Sequence, residues 1–222
     1  MHQILPIAAL MSGLVLLQAG PAWSADPPAR PAGQDHSHHH MHDAAPAAQP
    51  SGAKVKLQDT QLTDQDGRQL RLLSDVVGDK VVLVSFVYTH CTTVCPVVSH
   101  VFSQVQAQLG DQLERQVRLV SLTVDPARDT PSRLKAYSAQ YGTRTGWLWL
   151  TGAPPDVTAA LKGFGTYTAN FENHPALVMV GDGRTGQWTR IYGFEDPVVL
   201  VAKVRATLKA RQGKATVVAG KE

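Results

Sequence analysis

The sequence predicts an α/β domain built on a central mixed sheet that is flanked by helices. Two apolar, β-branched runs, VVLVSFVYT at residues 81–89 and VRLVSLTV at 117–124, are typical of strands buried on both faces. Strand-like and helix-like segments alternate up to about residue 164, which favours parallel pairing. Two later strand-like segments joined by the turn sequence DGRTG predict an antiparallel edge, with a last helix closing the domain.

The domain begins with a predicted β-hairpin. Residues 55–72 contain two short strand-like segments, with Asp66-Gly67 as the turn between them. The first long strand follows at residues 81–89. Apolar residues at helical spacing in VVSHVFSQVQAQLG, residues 97–110, then predict a helix that ends at Gly110.

The second half continues the alternation. After the strand at residues 117–124, Thr130-Pro131 predicts a helix to about Tyr141, because proline is favoured at the first helical position. A strand at 147–150, a helix at 154–164, strands at 176–180 and 188–192 and a helix at about 196–209 complete the domain. Four aromatic side chains are predicted to lie in its core: Trp147, Trp149, Phe164 and Tyr167.

The N-terminal segment predicts export to the periplasm. Residues 1–25 contain no charged side chain, residues 4–18 are almost wholly apolar, and Ala22-Trp23-Ser24 places small residues where a signal peptidase cleaves. We therefore predict a signal peptide at residues 1–24. An uncleaved N-terminal membrane anchor is the alternative, although a spanning helix needs about 20 apolar residues. An oxidising compartment of this kind permits disulfide bonds.

Residues 25–52 are predicted to form a flexible linker rich in Pro, Ala and His, because such a composition has little to bury. Imidazole and thioether groups bind soft or borderline metal ions, so the segment DHSHHHMHD predicts secondary metal capture. A solvated polar tract is the alternative. The residues concerned are His36, His38, His39, His40, Met41 and His42.

The single folded domain is predicted at residues 53–212, followed by a C-terminal tail at 213–222. The net charge of +3 is small. No basic stripe with interleaved aromatic residues is present in the sequence, so no nucleic-acid partner is predicted.

The only two cysteines, Cys91 and Cys95, lie in YTHCTTVCP between the first long strand and the helix after it. This is a thioredoxin-like arrangement, in which the helix N-terminus stabilises a thiolate. Residues four apart on a helix have Cβ atoms about 5–6 Å apart, which suits two thiolates on one metal ion. A disulfide needs Cβ atoms at about 3.5–4.5 Å, so it requires a loosened first turn. The spacing permits both states and favours a soft metal, Cu(I) above all.

A third metal ligand is sought among the distant histidines. His90 is disfavoured because neighbouring residues on a strand point to opposite faces, and His100 fits a partly exposed position on a helix. His174 precedes Pro175 and the strand-like ALVMV. In thioredoxin-like folds this strand begins beside the dithiol, often with a cis-proline at its start, so His174 is the candidate ligand. The sequence leaves open whether the bond before Pro175 is cis.

Three motifs together give a specific resemblance. YTHCTTVCP, SLTVDPARDTP with Asp125 and Asp129, and NHPALVMVGDG resemble, in this order and spacing, the Sco/SenC family of copper proteins over residues 55–208. The resemblance implies a thioredoxin-like fold that binds a copper ion through Cys91, Cys95 and His174. Two residues depart from the family pattern: Asn173 and Pro175 stand where the family usually has Asp and Ser or Thr. The His-rich segment also replaces the more usual membrane anchor.

The predicted function is that of an exported copper chaperone that helps to metallate the Cu-A centre of cytochrome c oxidase. The resemblance implies the Cu-A subunit as the partner, with other periplasmic copper chaperones as further candidates. The alternatives are a thiol–disulfide oxidoreductase, in which Cys91 and Cys95 reduce the cysteines of the oxidase subunit, and a redox sensor. Asp125 and Asp129 are given structural roles at a strand end and at a helix cap.

Overall fold

The structure, a computed structural model, describes residues 51–219. The predicted signal peptide and the predicted metal-capture segment at residues 36–42 lie outside the described residues. No helix within the described range is both long enough and apolar enough to cross a membrane.

A mixed sheet of eight strands forms the centre of the described part of the chain. The strands are β1 Ser51–Gly52, β2 Gln61–Asp64, β3 Gln69–Arg71, β4 Val81–Val87, β5 Val117–Thr123, β6 Trp147–Thr151, β7 Leu177–Asp182 and β8 Gln187–Tyr192. Their spatial order is β1-β8-β7-β4-β5-β6-β2-β3. Strands β4, β5 and β6 are parallel, and every other pairing is antiparallel. The predicted α/β class and mixed sheet are therefore confirmed.

Between residues 51 and 219, four α-helices flank this sheet and one π-helical turn spans Leu72–Val77. The α-helices are α1 Val94–Leu109, α2 Pro131–Ala139, α3 Pro154–Phe164 and α4 Pro197–Ala219. Helix α2 begins where the sequence predicted, because the Thr130 hydroxyl accepts a hydrogen bond from the Arg133 N–H and Pro131 occupies the first helical position.

Strand β4 separates two hydrophobic cores. All seven of its residues are buried, and alternate side chains enter opposite cores, as the period of two requires. Val81, Leu83 and Val87 pack in the core that contains side chains of α1, α2 and α4. Val82, Val84 and Phe86 pack in the core that contains side chains of α3 and the π-helical turn. The end of β4 is therefore held from both faces of the sheet.

The structure differs from the sequence-based boundaries at both ends of the domain. Ser51–Gly52, predicted as linker, pairs with Thr189 and Arg190 of β8. Helix α4 continues to Ala219, where a tail was predicted from residue 213. Backbone pairing at a sheet edge needs no apolar pattern, so β1 had no sequence signal.

One further prediction is wrong, and one open question is answered. Trp147, Trp149 and Phe164 are buried as expected, but Tyr167 is 46% exposed. Its ring lies beside Lys162, whose ammonium is 5.1 Å from the ring centroid, so a surface cation–π contact takes the place of core packing. Every peptide bond in the described range is trans, including the bond before Pro175.

A buried ion pair fixes α4 against the sheet. The Arg211 guanidinium donates to the Asp182 carboxylate at 2.6 Å, and both side chains are at most 10% exposed. Asp182 also accepts hydrogen bonds from the N–H groups of Arg184 and Thr185. Burial alone would raise the pKa of Asp182, but the hydrogen bond from Arg211 and these amides hold it below the ordinary value of 3.8.

Replacing Asp182 by Asn is expected to lower the free energy of unfolding by about 3 kcal/mol, because the Arg211 cation is left buried without its partner. In the unchanged protein the Asp182 contribution is present above pH 4 and is lost as pH falls through its depressed folded-state pKa. Urea denaturation at pH 7 and at low pH measures both effects. Asp79→Asn, which changes a carboxylate that is 63% exposed, is the control, and equal loss in the two variants would contradict the assignment.

Candidate metal centre

The two cysteines lie where the central strand passes into α1. Cys91 follows a turn after β4, in which its N–H donates to the Tyr88 carbonyl at 3.1 Å. Cys95 is the second residue of α1. Both are free thiols, 7% and 5% exposed. The N–H of Cys95 donates to the Cys91 sulfur at 3.3 Å, so this sulfur accepts from an amide in the first turn of the helix, a place usually taken by a capping oxygen.

The two thiols have very different acidities. Burial alone would raise the pKa of Cys91, but hydrogen bonds from the Cys95 amide, the Cys95 thiol, the Thr93 amide and the Tyr88 hydroxyl lower it to about 7. Burial and the neighbouring Cys91 sulfur raise the pKa of Cys95 to about 12. Near neutral pH, Cys91 is therefore partly ionised and Cys95 is a neutral thiol. The Cys91 thiolate is the form of sulfur that attacks a disulfide or binds a metal ion, and Cys95 is its neighbouring second thiol.

A buried carboxylate anchors the segment that carries Cys91. Asp129 is fully buried. It accepts hydrogen bonds from the Thr89 hydroxyl at 2.6 Å, from the Thr89 N–H at 3.3 Å and from the Thr123 hydroxyl at 2.6 Å. The predicted structural role is therefore right, but the interaction differs from the expected cap, since Thr130 caps α2. Asp125 pairs with Arg128 at 3.2 Å.

His174 approaches the cysteines from a different part of the chain. It follows a 3₁₀ turn, Phe171–Asn173, and precedes β7. Its ring packs against Phe86 with centroids 5.3 Å apart. The Nε2 atom is buried and has no hydrogen-bond partner in the described part of the chain. Burial lowers the pKa of His174, so the imidazole is neutral at pH 7 and keeps a nitrogen lone pair for a metal ion.

One small cavity brings the three predicted ligands together. Its volume is about 40 Å³, which exceeds the space needed by one water molecule or one small ion. No three His, Cys, Asp or Glu side chains between residues 51 and 219 are close enough to one another to hold a metal ion as they stand. Shared metal binding therefore requires the side chains to move inward. The lining residues are Phe86, Tyr88, Cys91, Thr93, Val94, Cys95, Val124, Glu172, His174 and Pro175.

The other two histidines of the domain lie elsewhere. His90 is exposed, and its Nε2 is 3.3 Å from the Arg133 guanidinium. His100 is exposed on α1, with Nε2 2.9 Å from the Gln104 amide nitrogen. Neither lines the cavity. His90 lies in the turn after β4 and not on a strand, so the alternation argument does not apply to it.

Sequence reasoning missed Tyr88 and Glu172, both of which line the cavity. Burial raises the pKa of Tyr88 to about 12, and its hydrogen bond to Cys91 adds to the effect. The Tyr88 hydroxyl therefore keeps its proton over the pH range in which the Cys91 thiol ionises. A signal existed for each residue, since Tyr88 precedes Cys91 by three positions and Glu172 precedes His174 by two. Proximity in sequence alone did not show that either residue lines the cavity.

Comparison with known proteins identifies relatives over most of the described domain. The model of the SCO1/SenC family matches residues 48–209. The chain is similar to the SCO1 protein homolog of Bacillus subtilis (strain 168), with 34% identity over 90 residues, 40% of this chain and 45% of the relative. The mitochondrial protein SCO2 homolog of Danio rerio is 33% identical over 113 residues, 50% and 39% of the two chains. The matched region thus spans less than half the length of these relatives.

Solved structures extend the similarity to the whole fold. Bradyrhizobium japonicum ScoI with copper bound is 28% identical, with a TM-score of 0.58 over 68% of this chain and 98% of that one. BsSco, described with a disulfide switch and as a member of the Sco family of cytochrome c oxidase assembly proteins, is 25% identical, with a TM-score of 0.58 over 70% and 95%. The predicted thioredoxin-like fold is thereby confirmed.

The acidity of the cysteines predicts selective alkylation. With iodoacetamide, Cys91 should react with a midpoint near pH 7, and Cys95 should stay unreactive below about pH 9, because only a thiolate attacks. Peptide mass spectrometry reports each site separately. Tyr88→Phe removes a donor to the sulfur and should move the Cys91 midpoint upward, whereas Tyr167→Phe, at an exposed position, should not. A midpoint near 9 in the unchanged protein would contradict the proposed hydrogen-bond pattern.

The Asp129 contacts predict a stability effect. Asp129→Asn should lower the free energy of unfolding by about 2 kcal/mol, because a charged acceptor of buried hydrogen bonds is lost. Urea denaturation measures the change. Asp66→Asn, at a position whose side chain is 43% exposed, should change stability by less than about 0.5 kcal/mol. Similar midpoints for the two variants would show that Asp129 does not anchor the segment.

Proposed function

The chain belongs to the SCO1/SenC family, and from this premise we propose that it is a copper chaperone. The observation that carries the proposal is the single cavity lined by Cys91, Cys95 and His174. Copper is the cargo in this proposal. The similarity to a ScoI structure with copper bound supports the choice of metal.

The donor groups fit copper chemically. Two sulfurs, one with a pKa of about 7, and a neutral imidazole form a soft set of the kind that selects Cu(I). The buried Nε2 of His174, without a partner in the described residues, is an unsatisfied polar atom that a metal ion would satisfy. In a purely structural role this nitrogen would be expected to have a hydrogen-bond partner.

Ligand exchange is the mechanism that this arrangement supports. Cys91 binds a metal ion more readily than Cys95, because the Cys91 thiolate already forms near neutral pH. Cys95 must lose its proton when the metal binds. An incoming partner thiolate displaces one ligand at a time, and each released group regains its proton or its lone pair. Copper therefore never leaves protein ligands during the transfer.

We propose the Cu-A subunit of cytochrome c oxidase as the acceptor, on the strength of the similarity to BsSco, a cytochrome c oxidase assembly protein. The role agrees with the predicted export to the periplasm. Residues 36–42 are proposed as a second copper-binding element, which replacement of their histidines would test by loss of additional bound copper.

A thiol–disulfide oxidoreductase is the second candidate, and the acidic Cys91 thiol favours it. The Cys91 thiolate would attack a partner disulfide, form a mixed disulfide and release one partner thiolate. Cys95 would then attack the Cys91 sulfur, close the Cys91–Cys95 disulfide and release the second partner thiol. Two electrons and two protons pass to the partner.

Removing a ligand is expected to lower copper binding. The background should be a chain in which the five histidines of residues 36–42 and Met41 are replaced by Ala, so that strand β1 is kept. In it, Cys91→Ser, Cys95→Ser and His174→Ala should each reduce the copper retained after dialysis against a competing chelator, because each removes one of three donors. Atomic absorption measures the stoichiometry. His100→Ala, on the surface of α1, is the matched control.

The same variants separate the two candidate functions. His174→Ala should lose copper and retain stoichiometric reduction of a disulfide-containing Cu-A subunit, since the imidazole takes no part in thiol exchange. Unchanged copper binding in this variant would remove His174 from the proposed site. Rapid catalytic reduction by a protein that binds no copper would favour the oxidoreductase.

A further inference from the structure

Glu172 is an acidic residue at the proposed copper cavity that takes no part in the copper transfer or thiol exchange described above. It is the middle residue of the 3₁₀ turn Phe171–Asn173. The residue lines the same cavity as Cys91, Cys95 and His174, and it is exposed. Glu172 thus lies where the cavity meets solvent.

The turn fixes Glu172 relative to His174. The Asn170 side-chain oxygen accepts a hydrogen bond from the Glu172 N–H at 3.0 Å. The His174 N–H donates to the Phe171 carbonyl at 3.1 Å. Neighbouring side chains hold the turn in place, since the Phe171 ring packs edge-on against Tyr88 at 5.2 Å. A displacement of Glu172 would therefore displace His174 as well.

The Glu172 carboxylate makes no hydrogen bond or ion pair with any side chain described between residues 52 and 211. Other acidic residues of the domain are engaged, such as Asp129 with two threonines and Asp182 with Arg211. Glu172 is close enough to Tyr88 for its negative charge to help raise the pKa of that phenol. Its oxygens are therefore not committed to another described side chain, and like the other donors of the cavity they would have to move inward to share one ion.

We propose that Glu172 supplies a carboxylate oxygen to Cu(II) bound by Cys91, Cys95 and His174, an inference that rests on the proposed copper site. Cu(I) is satisfied by soft sulfur ligands and low coordination. Cu(II) favours tetragonal coordination with nitrogen and oxygen donors, so a fourth, harder ligand stabilises it selectively. The turn Phe171–Asn173 and the residue that follows it therefore contribute two donors of different hardness, and Glu172 sets the balance between the two oxidation states.

The test compares Cu(II) and Cu(I) affinities in the full chain with Glu172→Gln. The amide keeps the size of the side chain and removes the anionic oxygen. We expect Cu(II) affinity to fall by about tenfold and Cu(I) affinity to change by less than about threefold, in line with the effect of losing a supporting group at a metal site. A tenfold selective loss raises the Cu(II)/Cu(I) potential by about 59 mV. The Cu(II) electron paramagnetic resonance spectrum should change as the oxygen donor is lost.

Three comparisons make the result decisive. Asp111→Asn, which removes an exposed carboxylate on the turn after α1, should match the unchanged protein in both affinities and in its spectrum. Glu172→Asp, which keeps the anionic oxygen, should recover part of the Cu(II) affinity. Competition measurements use a Cu(I) chelator under reducing conditions and a Cu(II) chelator in air, each with residues 36–42 free of histidine and methionine.

The outcomes separate this inference from the proposed function. A Glu172→Gln protein with Cu(II) affinity and spectrum equal to those of Asp111→Asn would overturn the role of Glu172 and leave the three-ligand site intact. An equal loss of Cu(I) and Cu(II) affinity would overturn the selectivity. Cys91→Ser and Cys95→Ser variants that bind as much copper as the unchanged protein would refute the proposed copper site itself.

Discussion

The geometry of the site depends on how the buried Asp129 carboxylate is satisfied. Asp129 is fully buried, and its carboxyl oxygens accept hydrogen bonds from the Thr89 and Thr123 hydroxyls at 2.6 Å. Burying a charge is tolerated only with such hydrogen bonding. These bonds join the segment before Cys91, the end of β5 and the entry to α2. Thr89 is two residues from Cys91, so the position of the sulfur follows from that of the carboxylate.

The cavity lies at the end of one strand, the start of one helix and the turn before another strand. Strand β4 carries the chain to Cys91, α1 presents its first amides to the Cys91 sulfur, and the turn before β7 brings His174 to the same cavity. Strand β7 lies next to β4 in the sheet, which explains why residues more than 80 positions apart meet. The helix N-terminus favours the thiolate of Cys91, whereas burial keeps Cys95 protonated.

Copper transfer and thiol exchange would both use the difference in acidity between Cys91 and Cys95. A thiolate that forms near pH 7 is both a metal ligand and a nucleophile, so the cysteines alone do not distinguish the two functions. The distinguishing groups are on the opposite wall of the cavity. These are the His174 imidazole, whose buried Nε2 has no hydrogen-bond partner among residues 51–219, and the cavity-lining Glu172. Neither group is needed for disulfide exchange, and both are donors in the copper site that we propose.

The sequence by itself determined the α/β class, the order of the elements from the first hairpin to α4, the cysteine pair and, through its motifs, the choice of His174. Local periodicity and capping record which residues are buried and where helices begin, so these features could be predicted. Tertiary structure alone decided the contacts of Asp129 with Thr89, 40 residues away, the place of Tyr88 and Glu172 in the cavity lining, the pairing of β1 and the exposure of Tyr167. These depend on which elements pack together, and a one-dimensional pattern of polarity does not encode the distance between two polar side chains on different elements.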